Sequence, residues 1–168
     1  LPKRVEISTK DPGYSQDYWN TMAELGWLGL PFNEEDGGFG GNQIDTLVIM
    51  EQFGKGLVLE PFLANVVLGG GAIQMGGSKE LKSEMLSSLI EGSKQITLAY
   101  AEQQSRFDLE DVATSARKEG DKYIINGQKS MVLNAESADH IVVVTRTNGG
   151  QFDEEGITLF LVDSDTKG

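Results

Sequence analysis

The spacing of apolar residues changes once along the chain, near residue 95. Before that point the period is helical. Tyr18, Met22 and Leu25 recur at intervals of three and four behind Ser15, whose hydroxyl is suited to capping, so a helix is predicted toward Trp27. Gly26 and Gly29 interrupt it, and the stretch GLPFNEEDGGFGGN, with Pro31 and five glycines, predicts an irregular loop. A second helix is predicted over Gln43 to Phe53, with Ile44, Leu47 and Val48 inward and Gly54 at its end. A third begins near Pro61, a favoured first-turn position, and reaches Met75 through Gly69-Gly70-Gly71. Ser78 caps a fourth, with Leu81, Met85, Leu86 and Leu89 on one face and Gly92 past its end.

Beyond residue 95 the pattern turns to β. Gln95 to Ala101 is the first predicted strand. Val112 to Lys118 and Tyr123 to Asn126 follow, joined by a turn at Glu119-Gly120-Asp121. Asn126-Gly127, flanked by YII and KSMVL, predicts a tight hairpin. Ile141 to Arg146 is rich in β-branched residues and reads as a buried central strand, and ITLFLVD at 157–163 as the last. Helices followed by strands predict an α+β fold, with a helical N-terminal domain over residues 1–94 and an antiparallel, barrel-like β domain over residues 95–168.

A chain of 168 residues can bury a real core, and 39% hydrophobic with 24% charged residues is an ordinary globular composition. The net charge of -12 excludes nucleic-acid backbone binding as an expectation, because phosphate tracking needs clustered Lys and Arg. Cysteine is absent, which excludes disulfides and zinc thiolate sites and fits a reducing, cytoplasmic setting. The start, LPKRVEISTKDPG, has no apolar core of signal-peptide length, and no apolar run approaches a membrane span. Leu rather than Met at position 1 suggests a piece of a longer polypeptide.

His140 is the only histidine and reads as a solvated surface imidazole. Without Cys and with one His, neither a Cys-His pair nor a histidine-rich metal site is available, and no nucleophile elbow accompanies His140. The glycines of GGFGG break the dinucleotide fingerprint at Gln43, and Asp108, Glu110 and Asp111 lack calcium-loop spacing. By elimination, chemistry on this chain needs a cofactor. The loop after the first strand, in LAYAEQQSRFDLED, is unusual for a turn. It has neither Gly nor Pro and carries more hydrogen-bonding groups than a turn requires.

Several stretches together resemble one family. LGWLGLPFNEEDGGFGG resembles the helix-to-loop segment of the N-terminal domain of acyl-CoA dehydrogenases. The run from LAYAEQQSRFDLED through GDKYIINGQK and NAESADHIVV to GITLFLVDSDTKG resembles their β-rich middle domain, in continuous order. AYAEQQSRFDL further resembles the small-subunit type of pimeloyl-CoA dehydrogenase. The resemblance implies bound FAD, an acyl-CoA substrate, and assembly into a homo- or hetero-oligomer such as a tetramer. It implies that a carboxylate removes the proton alpha to the thioester carbonyl while the beta hydrogen leaves as hydride to the flavin. That carboxylate belongs to a C-terminal helical domain beyond residue 168, so no catalytic residue is expected within this chain.

Residue by residue, the resemblance is partial. The family's loop carries Thr-Glu-Pro, then Gly, Ala or Gly, then Ser-Asp. Here Ala101 stands in place of the Thr, Glu102 matches, Gln103 replaces the Pro, Phe107 the Ser, and Asp108 matches. In the second flavin-contacting segment Lys129 and Asn134 match, while Met131 replaces an aromatic and Leu133 a Thr or Ser. The resemblance thus implies a flavin site at Tyr100, Ala101, Ser105, Phe107, Met131, Val132 and Leu133, with Ser105 or Gln104 as substitute hydrogen-bonding groups. Arg106 reads either as a phosphate contact or as a surface ion-pair partner, and Trp19 and Trp27 as core. The competing reading is a non-catalytic structural subunit with a degenerate flavin site. A flavin oxidase or monooxygenase on the same fold is a third.

Overall fold

The computed structural model describes residues 2–167. A short helix that the pattern does not anticipate, α1 (Pro2–Ser8), comes first, with none of its residues buried. The Ser15 hydroxyl then caps α2 (Gln16–Glu24) by accepting from the Tyr18 N–H at 3.4 Å. Gly26 follows the helix in the left-handed region at φ 75°. The glycine-rich stretch beyond is partly ordered into two single-turn 3-10 helices, Trp27–Gly29 and Glu34–Asp36.

Helix α3 (Gln43–Gly56) starts in a full capping box: Asn42 accepts from the Ile44 and Asp45 N–H groups, and Asp45 accepts from the Asn42 N–H. It runs past Gly54 to a left-handed cap at Leu57. Its inward face corrects the expectation from the pattern. Ile44, Leu47 and Val48 are 70%, 64% and 51% exposed, while Phe53 is buried with Ile49 and Met50 partly so. The helix is apolar on more than one side, so periodicity alone does not choose which side packs.

The helix predicted from Pro61 to Met75 is present, but Leu63–Gly70 is wound as a π-helix before α4 (Gly71–Gly76). Close packing explains Gly69, where a Cβ would lie 2.1 Å from the Ile96 carbonyl oxygen. Asn65, fully buried, accepts from the Ile96 N–H at 2.8 Å and so joins this segment to the sheet. Helix α5 (Lys79–Ile90), capped by Ser78, buries Met85, Leu86 and Leu89. Trp19 lies in the same core and donates to the Gly92 carbonyl at 3.1 Å. Trp27, by contrast, is 39% exposed and tilts against Phe53 at the edge.

The strands are β1 (Ile96–Ala99), β2 (Ser115–Glu119), β3 (Lys122–Asn126), β4 (His140–Arg146) and β5 (Ile157–Asp163). The α+β order is as expected, but the sheet is mixed rather than antiparallel throughout. β4 is central: β1 pairs parallel to it from Ile96↔His140 to Ala99↔Val143, and β2 touches it in parallel at Ser115↔Arg146. β5 pairs antiparallel along the other edge of β4, and β2 with β3 through the turn at Gly120. A long crossover separates β1 from β4, which permits the parallel arrangement.

The Asn126-Gly127 hairpin is also corrected. β3 ends at Asn126, and residues 127–134 leave the sheet without forming a partner strand. Gly127 serves close approach, since a Cβ there would lie 2.5 Å from the Thr114 hydroxyl oxygen. His140 is not fully solvated either. Its ring nitrogen Nδ1 meets Asp163 at 2.9 Å across β4 and β5, with the imidazole side chain 17% exposed. Ile96 and Val142 enter the same apolar cluster as Trp19, Phe32, Phe62 and Leu86, so helices and sheet share one core.

Candidate functional site

β1 ends at Ala99, and the chain turns into the polar loop that begins at Ala101. Residues 127–134, expelled from the sheet, lie against it. The contacts between these two stretches are side-chain and backbone hydrogen bonds instead of a strand ladder. The Ser130 N–H donates to the Ala101 carbonyl at 2.9 Å, and the Thr97 hydroxyl to the Leu133 carbonyl at 2.6 Å. Asn134, left-handed at φ 58°, donates to the Gln95 side chain, and Gln95 in turn donates to the Tyr14 hydroxyl. Asp139 accepts from the Gln95 N–H and from Lys94. Burial would raise its carboxyl, but these partners hold it below the ordinary range.

Glu102 is the centre of this arrangement. It is 4% exposed and accepts from Lys129 Nζ at 2.6 Å, Gln104 at 2.6 Å, and the Ala113 and Thr114 N–H groups at 2.9 and 3.0 Å. Burial pushes its carboxyl up, but the hydrogen bonds from Lys129, Thr114 and Gln104 outweigh burial and lower it from 4.5 to about 2. Lys129 also donates to the Tyr100 carbonyl at 3.3 Å. The buried ion pair therefore ties the strand exit, residues 113–114 and residues 127–131 together. A carboxylate with this many donors is a scaffold and a poor proton acceptor.

Above this floor lies a groove of about 790 Å³. Tyr100, Ala101, Phe107 and Met131, four of the residues expected at a flavin, line it, and so do Gln103, Gln104, Arg106, Gln128 and Ser130. Phe107 and Met131 are 99% and 83% exposed at its rim. Val132 and Leu133 follow Met131 but do not line this groove. Ser105 departs from its expected role. Its hydroxyl donates to the Glu102 carbonyl at 3.0 Å and accepts from the Glu102 N–H at 3.1 Å, which leaves it closing a turn in the buried floor. Gln128 and Ser130 escape a reading of the sequence because the Asn-Gly signal assigns them to a hairpin strand. Two lining residues carry backbone strain: Arg106 at φ 52° and Met131 at φ 54°. For a residue with a Cβ this region costs roughly 1–2 kcal/mol.

Arg146, buried at the end of β4, steadies the far side of the loop. Its guanidinium donates to the carbonyls of Glu110, Gln151, Asp153 and Glu155 at 2.7–3.0 Å, while its Nε has no partner among the described residues. Asp111 accepts from the side chains of Gln104 and Gln151. Among the described residues no cluster of His, Asp and Glu is arranged to hold a metal ion, and no helix is long and apolar enough to cross a membrane.

A helical half joined through one core to a mixed sheet, with a strained polar groove at the exit of the first strand, defines a two-part α+β protein with a ligand-sized site. The family model described as acyl-CoA dehydrogenase, N-terminal domain, matches residues 1–93, and that for the acyl-CoA dehydrogenase middle domain matches residues 97–168. The chain belongs to the acyl-CoA dehydrogenase family. It is 32% identical over 164 residues to the 3-(aryl)acrylate reductase of Clostridium sporogenes, covering 95% of this chain and 42% of that protein. To the probable acyl-CoA dehydrogenase YngJ of Bacillus subtilis it is 33% identical over 149 residues, covering 88% and 39%. The solved FAD complex of PigA superposes with a TM-score of 0.82 at 27% identity, covering 92% of this chain and 41% of that one. The chain thus spans about two fifths of the length of the relatives it matches.

Proposed function

We propose that this chain forms the cofactor-facing part of an FAD-dependent acyl-CoA dehydrogenase, with Tyr100, Ala101, Phe107 and Met131 against the flavin. The observation that carries the reading is the groove itself, held open by the buried Glu102–Lys129 pair and lined by strained residues. Its lining suits a planar ligand with a polar edge. Tyr100 and Met131 offer apolar surface, and Gln103, Gln128 and Ser130 offer amide and hydroxyl groups. Bound there, FAD would supply the two-electron acceptor for alpha,beta-dehydrogenation of an acyl thioester.

The chain's own part is binding and orientation. The Ser130–Ala101 hydrogen bond and the Thr97–Leu133 hydrogen bond hold the two facing segments at a set spacing. Glu102 supplies position rather than proton transfer, so the alpha-proton acceptor is a carboxylate outside residues 1–168. The stretch AYAEQQSRFDL supports the small-subunit type of pimeloyl-CoA dehydrogenase as the nearest substrate class.

One observation favours a second reading, a structural subunit of a hetero-oligomer with a weakened flavin site. Positions 101 and 133 carry no hydroxyl, and the Ser105 hydroxyl is engaged by Glu102. The visible spectrum of the purified full-length protein separates the two. A flavin band is expected, and Ala101→Thr should retain flavin about 2- to 10-fold more tightly by one added hydrogen bond. A colourless protein that gains flavin solely with a partner subunit supports the second reading.

A further inference from the structure

We propose that Arg106 receives a phosphate of the ligand in the groove beside Tyr100, a role that rests on the flavin-and-thioester reading above. Four residues other than glycine have positive φ among the described residues: Leu57, Arg106, Met131 and Asn134. Leu57 has an ordinary reason, as the left-handed cap of α3. The other three lie on the two segments that build the site, and Arg106 and Met131 both line the groove. Strain gathered on facing segments of one groove is the pattern of a ligand clamp. Glycine or asparagine would occupy position 106 with less strain, so the arginine is held there against the local backbone preference.

Charge points the same way. Arg106 takes part in no ion pair and no side-chain hydrogen bond among the described residues, although the chain carries 26 acidic against 14 basic side chains. The one carboxylate lining the groove, Glu102, is already neutralised by Lys129 at 2.6 Å. What remains in the groove is the positive charge of Arg106, on an exposed guanidinium whose planar fork matches two phosphate oxygens. Phe107 beside it, 99% exposed, adds an apolar face. The matching ligand combines a phosphate with a large apolar or planar body. Both FAD and a CoA thioester have that chemistry.

The test compares the full-length wild type with Arg106→Gln by equilibrium binding of FAD against riboflavin, and of an acyl-CoA against the matching acyl-pantetheine. The phosphate-bearing member of one pair should weaken about tenfold, as for loss of a charge-assisted hydrogen bond. Its phosphate-free counterpart should be unchanged, and the salt dependence of the weakened affinity should flatten. A loss confined to FAD assigns the flavin pyrophosphate; a loss confined to acyl-CoA assigns the nucleotide phosphates. Arg106→Lys should recover only part of the affinity, because a point charge lacks the two-pronged fork. Arg106→Gly should raise Tm by relieving the backbone yet keep the binding defect, a combination that general damage to the fold does not produce. Equal binding of all four ligands by wild type and Arg106→Gln, or equal weakening of phosphate-bearing and phosphate-free members, overturns the role of Arg106. A wild type that binds neither FAD nor acyl-CoA overturns the functional reading itself, and this role with it.

Discussion

Glu102 shows how one side chain organises a site without reacting in it. Its carboxyl falls from 4.5 to about 2, so the ionised form is the one the fold stabilises. That stabilisation is complete above pH 4.5 and is lost as pH falls from 4.5 through about 2. Its size is on the order of 3 kcal/mol, from about 1.4 kcal/mol for each pH unit. Glu102→Gln leaves Lys129 buried without its counter-charge, and should lower stability by about 3 kcal/mol at pH 7. Urea midpoints measured from pH 7 to pH 3 check this. The gap between wild type and variant should shrink below pH 4.5, because protonation removes from the wild type what the mutation removes from the variant. A gap that stays constant with pH would show that shape, and not charge, is what Glu102 contributes.

At the scale of elements, the π-wound segment Leu63–Gly70 and β1 depend on each other. Gly69 and Gly71 are neighbours in a helical stretch, where replacing glycine by alanine ordinarily stabilises by about 1 kcal/mol. Surroundings reverse the sign at the first. The added Cβ at Gly69 would meet the Ile96 carbonyl oxygen at 2.1 Å, whereas at Gly71 it meets nothing within 4 Å. Gly69→Ala should therefore lower stability by about 3 kcal/mol, as overpacking does when backbone must shift. Gly71→Ala should raise it by about 0.5–1 kcal/mol. Thermal melts of the two variants side by side test the packing directly, and a stabilised Gly69→Ala would mean that the helical segment does not sit on β1. Helix α3 poses the opposite case. Its exposed Leu47 lines an apolar groove of about 530 Å³ with Leu63, Val67 and Met75, which gives this face a surface instead of a core role.

For the whole molecule, the distribution of acids decides what residues 1–168 can do alone. Asp153, Glu154 and Glu155 lie in the exposed turn that Arg146 anchors, and Glu34, Glu35 and Asp36 form a surface 3-10 turn. Glu102 is acceptor-saturated and held ionised. General base catalysis needs a carboxylate free to reach the substrate proton in a site closed to water. Residues 1–168 with added FAD, a panel of saturated acyl-CoA thioesters and an artificial electron acceptor should thus show no turnover above free flavin. Turnover above that level would place the base within this chain and overturn the assignment of Glu102 as scaffold.

What the sequence determined by itself follows from short-range chemistry. Ser15 and Ser78 cap the helices they precede, Gly120 closes the β2–β3 turn, and the β-branched run at 141–145 is the central strand, because caps, turns and alternation are decided within a few residues. The family motifs belong here too, including the matches at Glu102 and Lys129, although that these two pair is a contact only the fold shows. What tertiary structure decided depends on partners far along the chain. Ile44, Leu47 and Val48 face outward because Phe53 packs against Phe62 instead, a choice that an all-round apolar helix leaves open. Asn126-Gly127 does not turn back into a hairpin because Gly127 is needed against Thr114 and Lys129 against Glu102. The groove forms where that displaced segment lies along the exit of β1. Local propensity ranks conformations by about 1 kcal/mol per residue, and a buried ion pair with backbone donors around it outweighs that preference.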